Sequence, residues 1–437
     1  VSRIATNTIE PGTEPAAAAP RFAKAREWTK LIAITGSAQV AVQAIGFVCG
    51  ILVIRLLPIE EYAYYTIANT MLGTMTLLAD GGIASGVMSQ GGKVWRDKQK
   101  LGAVLATGLR LRRQFAVWSL AVSIPILYFL LIKQGASWLT ATMIAASLLP
   151  AFFSALSAKL LEISAKLHQD VTALQVIQVT SNTLRLALSG LMLFVFPFAA
   201  LAIIASGASQ IYGNWRLRGV SNKFADRAAG EDPEVRREIL GIVKRVLPGA
   251  IYFSISLQLG TWILSFFGSN ESIAQLGAIS RITLVVGILT TIFGYLVAPR
   301  FARLPAVAAL LRTHFLKVQL FLFVICLCGY LVAFCLTDTI LLILPSEYHS
   351  LTYAFRLQLA IAAFGVIIGS LTALNASRGY VLHPQIHIPL NLTIVLATAA
   401  IFRPTSLVEV LYLDLTRAAI APIIQNCIFF SHVRIAR

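Results

Sequence analysis

The stretch RLLPIEEYAYYTIANTMLGTMTLLADGGIASG, residues 55–86, decides the fold. Most of it is apolar enough to sit in lipid, yet it holds a carboxylate, Asp80, beside two glycines. A charge at the centre of a bilayer costs roughly 2.5–3.5 kcal/mol on the mildest scale, so such a residue is kept for a reason. On a helix, residues three and four apart share a face. Thr66, Asn69, Gly73, Thr76 and Asp80 follow that spacing and form one polar stripe down an apolar helix. Asp80 therefore ends a hydrophilic seam, and the seam predicts a cavity or a polar partner helix facing it.

The rest of the chain has the same character. Its 437 residues are 57% hydrophobic and 13% charged, with a mean hydropathy of +0.77. A soluble domain is about 25% charged. Apolar runs of roughly 20 residues recur, each able to cross about 30 Å of hydrocarbon as a helix. The ten-residue alternation of a membrane barrel is missing. The sequence predicts an all-α integral membrane protein of about twelve spans. They fall near 31–54, 62–90, 114–132, 138–158, 171–194, 197–215, 246–267, 273–298, 318–344, 351–375, 385–402 and 406–430.

The net charge of +17 would suggest nucleic acid in a soluble protein. Here most cations fall in the tail and in alternate loops: 91–113 (Lys93, Arg96, Lys98, Lys100, Arg110, Arg112, Arg113), 216–245 and 299–317. The positive-inside rule produces that pattern, so no nucleic-acid partner is expected and both termini are placed in the cytoplasm. Residues 1–30, rich in Ala, Pro and Thr and then basic, read as a disordered cytoplasmic tail. The polar loop 216–245 divides the chain into an N-lobe, 31–215, and a C-lobe, 246–437. A weak internal echo, LPIEEYAYYTIAN against GSNESIAQLGAIS, fits such a division.

Three more stripes accompany the one ending at Asp80. Gly36, Gln39, Gln43, Gly46 and Gly50 share a face of the first span; Gln175, Gln178, Asn182, Arg185 and Ser189 of the fifth; Ser254, Gln258, Thr261 and Ser265 of the seventh. Small and amide side chains also glue helices together. Four stripes, two of them charged, point to a shared water-filled cavity. Arg281 lies roughly 13 Å into the eighth span at 1.5 Å per residue, and Arg185 is similarly deep. Neither has an acidic neighbour in sequence, and buried cations of that kind mark an anion pathway. Arg356 lies nearer a span end, within snorkelling reach of the interface. Arg55 reads as an interfacial anchor. Arg417 follows Asp414 by three residues, a spacing that allows an ion pair. Arg281, Arg185, Arg356, Gln39, Gln43, Asn69, Gln178, Asn182 and Gln258 are the candidate substrate-binding set. Asp80, Asp414 and Arg417 are the candidate coupling residues, with Asp80 also a possible distant partner for one of the deep arginines.

The segment Gly36–Ile83 resembles the opening of the polysaccharide flippases, the Wzx-type branch of the multidrug/oligosaccharidyl-lipid/polysaccharide exporter superfamily. Arg55, Leu57, Pro58, Glu61–Tyr62 and Asp80–Gly82 match the family pattern, and Ala63 stands where the family usually has glycine. The resemblance covers about fifty residues. It implies two six-helix lobes around a V-shaped cavity that opens alternately to each side. It implies transfer of undecaprenyl-diphosphate-linked oligosaccharide across the bacterial plasma membrane, with polysaccharide polymerase and chain-length machinery as partners. Related peptidoglycan-precursor flippases line the cavity with arginines, one of them in the eighth helix, where Arg281 lies by span number. Arginine grips phosphate oxygens in bidentate fashion, which agrees.

Two alternatives stand beside this reading. A multidrug or cation antiporter of the same superfamily shares the architecture, but a cationic cargo calls for more intramembrane carboxylates than Asp80 and Asp414. A membrane glycosyltransferase or polymerase would use Glu60 and Glu61, but the loop holding them has only about seven residues, with no large outer domain beside it. The cysteines all lie in apolar runs and suggest neither disulfide nor metal. His383 and His387 flank Pro384 with no third ligand near. No metal and no cofactor is expected beyond coupling to a proton or sodium gradient or to the membrane potential.

Overall fold

The computed structural model describes residues 21–168, 170–226, 228–297, 301, 304–305, 307–378, 380 and 384–435. Helix dominates, and no strand occurs among these residues. In chain order the helices are α1 (Arg21–Leu56), α2 (Ile59–Asp80), α3 (Ile83–Val94), α4 (Lys98–Lys133), α5 (Trp138–Leu167), α6 (Val171–Val195), α7 (Ala199–Phe224), α8 (Pro233–Leu257), α9 (Leu259–Phe267), α10 (Asn270–Thr283), α11 (Gly287–Leu296), α12 (Ala308–Cys335), α13 (Thr337–Leu341), α14 (Thr352–Ser377), α15 (Pro384–Phe402) and α16 (Leu407–Ile435). Short 3-10 turns cover Leu284–Val286 and Ser346–Leu351. Six described helices are long and apolar enough to cross a membrane by themselves, and α2 with α3 makes a seventh if the bent pair is one span.

Several expected spans are broken. The second bends by 45° where α2 gives way to α3. Gly81 and Gly82 make that bend with φ of +46° and +95°, values that cost a residue with a β-carbon. The seventh breaks at Gln258, the eighth at Leu284–Val286 and the ninth at Leu336. Hydropathy averaged over a span does not register one turn of altered backbone, so the breaks were invisible in composition. The basic loops are also shorter than expected. Helix α4 begins at Lys98, α7 runs to Phe224 and α8 begins at Pro233, so Arg110, Arg112 and Arg113 sit on a helix rather than in a loop. Asp97 and Asp232 cap α4 and α8 by accepting from the backbone N–H groups two and three residues on. The expected tail also ends early, because α1 starts at Arg21; residues 1–20 and His383 lie outside the described residues.

Core packing places the lobes. At the end of the bundle away from the basic segments one continuous core joins both. Met71 and Met75 of α2, Phe152 of α5, Ile273 and Ile279 of α10, Phe355 of α14 and Leu411 of α16 all belong to it. At the basic end the cores are separate. In the N-lobe one holds Ile83, Leu101, Leu160 and Ile239 and a smaller one holds Leu161, Leu174 and Leu217; the C-lobe core holds Phe293, Phe315, Leu371 and Phe429. Two lobes sharing a core at one end and not at the other make a V that opens toward the basic end. Ile239 and Val243 of α8 pack in the N-lobe core, so the expected inter-lobe loop 216–245 ends as a helix docked on the first lobe.

Candidate functional site

A cavity of about 810 Å³ lies where α2 faces α8, α9, α10, α14, α15 and α16. Its polar lining includes Tyr62, Thr66, Asn69, Gln258, Arg281, Gln358, Asn391, Asp414 and Arg417. That is a volume suited to a drug-sized ligand or the head of a larger one. Thr66 and Asn69 come from the α2 stripe, and the break at Gln258 turns that amide toward Gly73 of the same stripe, where a β-carbon would lie 3.6 Å from its Nε2. Close approach of α2 and α10 is possible because Gly277 leaves room for Thr66 and Tyr62.

Arg281 reaches into the junction of three helices. A β-carbon at Gly50 of α1 would lie 3.5 Å from Arg281 Cδ. Its guanidinium lies beside the hydroxyls of Tyr62 and Tyr65. The two tyrosine rings stack with centroids 6.0 Å apart. Arg185 of α6 donates to the Tyr65 hydroxyl at 3.5 Å. The deep arginines of the two lobes thus converge on one tyrosine pair, and both tyrosines are almost fully buried. Asn69 lies at the cavity wall beside Tyr65. Across the cavity Arg417 donates to Asp414 at 3.0 Å.

The sequence-derived candidates separate into those the cavity brings together and those it does not. Arg281, Asn69, Gln258, Asp414 and Arg417 line it. Arg185 does not line it; its guanidinium meets Tyr65, which stacks on the lining residue Tyr62 from behind the cavity wall. Arg356 turns away and stacks over Phe334 of α12, 4.1 Å from the ring centroid. Its neighbour Gln358, about 200° around the helix at 3.6 residues per turn, faces the cavity instead, beside Ile361, Gly365 and Ile368 of the same helix. Gln178 and Asn182 hydrogen-bond within α6, Asn182 Nδ2 donating to the Gln178 carbonyl at 2.8 Å. The same α6 face packs on α1, with Cys49 Sγ against Ser189 Oγ at 3.8 Å. Gln43 is exposed on α1, and the side chain of Gln39 lies outside what is described.

Asp80 has a different place from the one expected. It pairs neither with Arg281 nor with Arg185. Its carboxylate pairs with Arg112, a guanidinium that also donates to the Leu156 carbonyl of α5. Asp80 Oδ1 further accepts from the Ala84 N–H at 3.2 Å and so caps α3 across the glycine bend. It lines the α2–α3 joint and not the cavity. Arg112 was hidden among the cations of a basic segment; its place on the α4 face that meets α2 and α5 is a tertiary fact. Gln358, Asn391 and the tyrosine pair were also missed. Tyr62, Tyr65 and Asn69, at spacings of three and four, carried the available signal.

At the shared-core end the lobes are tied by side chains donating to main-chain carbonyls. Arg55 Nε donates to Ile343 O at 3.0 Å and Nη2 to Leu342 O at 3.3 Å. Gln134 Nε2 donates to Ser265 O at 3.0 Å and to Gly268 O at 3.3 Å, and Lys133 donates to Phe266 O. Asn270 Nδ2 returns a bond to Gln134 O at 2.6 Å. Arg55, expected as an interfacial anchor, is exposed at the end of α1 and takes part in this inter-lobe tie. Among the described residues no group of three His, Cys, Asp or Glu side chains could hold a metal ion, and the five cysteines are free.

No family model matches the sequence, and no curated protein matches it. Solved structures do resemble the fold. An inward-facing multidrug resistance MATE family transporter of the MOP superfamily superposes with a TM-score of 0.70 at 15% identity, over 90% of this chain and 95% of that one. An outward-facing structure of such a transporter gives 0.62 at 16% identity, over 93% and 95%. A MOP superfamily transporter from Pyrococcus furiosus Vc1, described as having a binding pocket of reverse polarity that suggests a different function, gives 0.57 at 16% identity, over 93% and 96%. The chain has the two-lobed, all-helical fold of the MATE transporters.

Proposed function

We propose that this chain is a flippase: it moves a diphosphate-linked oligosaccharide lipid across a bacterial plasma membrane by alternating access. One observation carries the reading. The cavity where the lobes meet holds two guanidinium groups, Arg281 and Arg417, one carboxylate, Asp414, and a ring of amides and hydroxyls. Arginine forks bind phosphate oxygens, and the amides suit sugar hydroxyls. The lipid tail stays in the bilayer. The basic end faces the cytoplasm by the positive-inside rule, so the V receives cargo from that side. Lipids, the lipid-linked substrate and the polysaccharide assembly machinery are the partners this reading implies, and an ion gradient or the membrane potential is its energy source.

The MATE fold gives a second reading, export of cationic drugs, for which Asp414 would be the counter-charge. The cavity's excess of cations favours an anionic headgroup. The measurement is surface glycan and protein abundance in the same cells, alongside ethidium efflux. Arg281→Ala abolishes glycan export at normal abundance, and Arg281→Lys, which keeps charge but loses the planar fork, retains part of it. Full glycan export by a normally abundant Arg281→Ala protein overturns the reading. Efflux lost on Asp414→Asn with glycan unchanged establishes the second.

A further inference from the structure

Asp414 and Arg417 lie one turn apart on α16, and both line the cavity. Their side chains keep 25% and 21% of their exposure, so a ligand in the cavity can reach them. Asp414 is held from behind, because a β-carbon at Gly260 of α9 would lie 3.0 Å from its Oδ2. The charged residues of the lining are Arg281, Asp414 and Arg417, one net positive charge. The diphosphate diester of a lipid-linked sugar carries two negative charges. Binding it to the cavity as it stands leaves a net negative charge out of water, which is costly.

The elements around Asp414 bring few other charges. Helix α9 has no titratable side chain, and α10 brings Arg281. Helix α14 brings neutral Gln358 and turns Arg356 away. Helix α15 brings Asn391, whose Nδ2 lies 2.8 Å from His387 Nδ1. Helix α12 meets α16 near its other end, at Phe315 and Phe429. Tyr62 of α2 is engaged by Arg281.

We infer that Asp414 is a built-in competitor for Arg417: the ligand's diphosphate takes over the guanidinium, and the freed carboxylate takes up one proton from water. The ion-pair exchange is non-covalent; the one bond formed is an O–H bond on the Asp414 carboxylate, its proton supplied by the buffered solvent. The exchange replaces a single N–H···O contact with the fork geometry that arginine prefers for phosphate. Protonation then removes the uncompensated carboxylate and brings the loaded cavity to neutrality. The inference rests on the diphosphate reading.

The test uses the full chain in lipid nanodiscs and citronellyl-diphospho-N-acetylglucosamine, neither phosphate of which titrates near neutrality. Calorimetry in two buffers of different ionisation enthalpy reads the protons taken up. The expected result is about one proton per ligand bound, with affinity tightening up to about tenfold per pH unit as pH falls. Asp414→Asn binds about tenfold more tightly than wild type at pH 8, takes up no proton and loses the pH dependence. Arg417→Gln binds more weakly and also takes up no proton. Equal wild-type heats in both buffers overturn the inference without recourse to any variant, and unchanged or weaker binding by Asp414→Asn overturns it too. Binding without proton uptake leaves the diphosphate reading standing; no binding at all removes both.

Discussion

Asp80 of α2 neutralises Arg112 of α4, a guanidinium only 1% exposed, and the pair sits beside the joint between α2 and α3. The carboxylate serves two partners, because it also accepts from the Ala84 N–H. Asp80→Asn leaves Arg112 buried without a counter-charge, a loss of about 3–5 kcal/mol. The unfolding temperature of purified protein should fall sharply, and Asp80→Asn with Arg112→Gln should recover part of it. A double variant no more stable than Asp80→Asn would contradict the pairing.

The bend itself depends on glycine. A β-carbon at Gly82 would stand 2.8 Å from Val246 Cβ, on a backbone with φ of +95°. Gly82→Ala should cost about 1–3 kcal/mol from the backbone alone, with the clash added. Adding Val246→Gly should relieve the clash and not the backbone strain. Thermal unfolding of the single and double variants separates the two contributions.

Tyr65 is the joint between the lobes' deep arginines. Tyr65→Phe keeps the ring stack with Tyr62 but takes the hydroxyl from Arg185. A hydrogen bond to a charged group contributes roughly 1.5–3 kcal/mol. The variant should reach the membrane in normal amounts and show reduced glycan export. Unchanged export would mean that Arg185 has no part in the cavity's work.

The inter-lobe tie should set which end is closed. Arg55→Ala with Gln134→Ala removes four bonds to carbonyls, each contributing about 0.5–1.5 kcal/mol. Spin labels at Trp138 and Phe267, both exposed at that end, report the gap between lobes. The distance distribution should shift to longer values in the double variant. An unaltered distribution would show that the shared core alone holds this end shut.

The stripe spacing on α2 placed Thr66 and Asn69 on one face, and the cavity uses both. The same spacing carried through to Asp80, but the helix ends there. The glycine pair redirects the chain, and the lower part of the stripe meets α4 in place of the cavity. Depth along the span singled out Arg281 and Arg185 without revealing what they touch. Arg356 shows the limit most plainly. Its depth was readable, its facing was not, and the cavity takes the amide two residues later.

The sequence by itself determined the solvent, the helical class, the alternation of basic and non-basic ends and a short list of polar side chains too costly to bury without purpose. Those follow from composition and from the 3.6-residue period, which act locally. Only the tertiary structure decided the partners: Arg112 for Asp80, the tyrosine pair for the two deep arginines, and main-chain carbonyls across the lobes for Arg55 and Gln134. A buried charge must be compensated, but any nearby opposite charge or dipole satisfies that demand. Which one does so depends on how helices distant in sequence are rotated and broken. Single turns at Gly81–Gly82 and Gln258 control that, and they leave no trace in a hydropathy average.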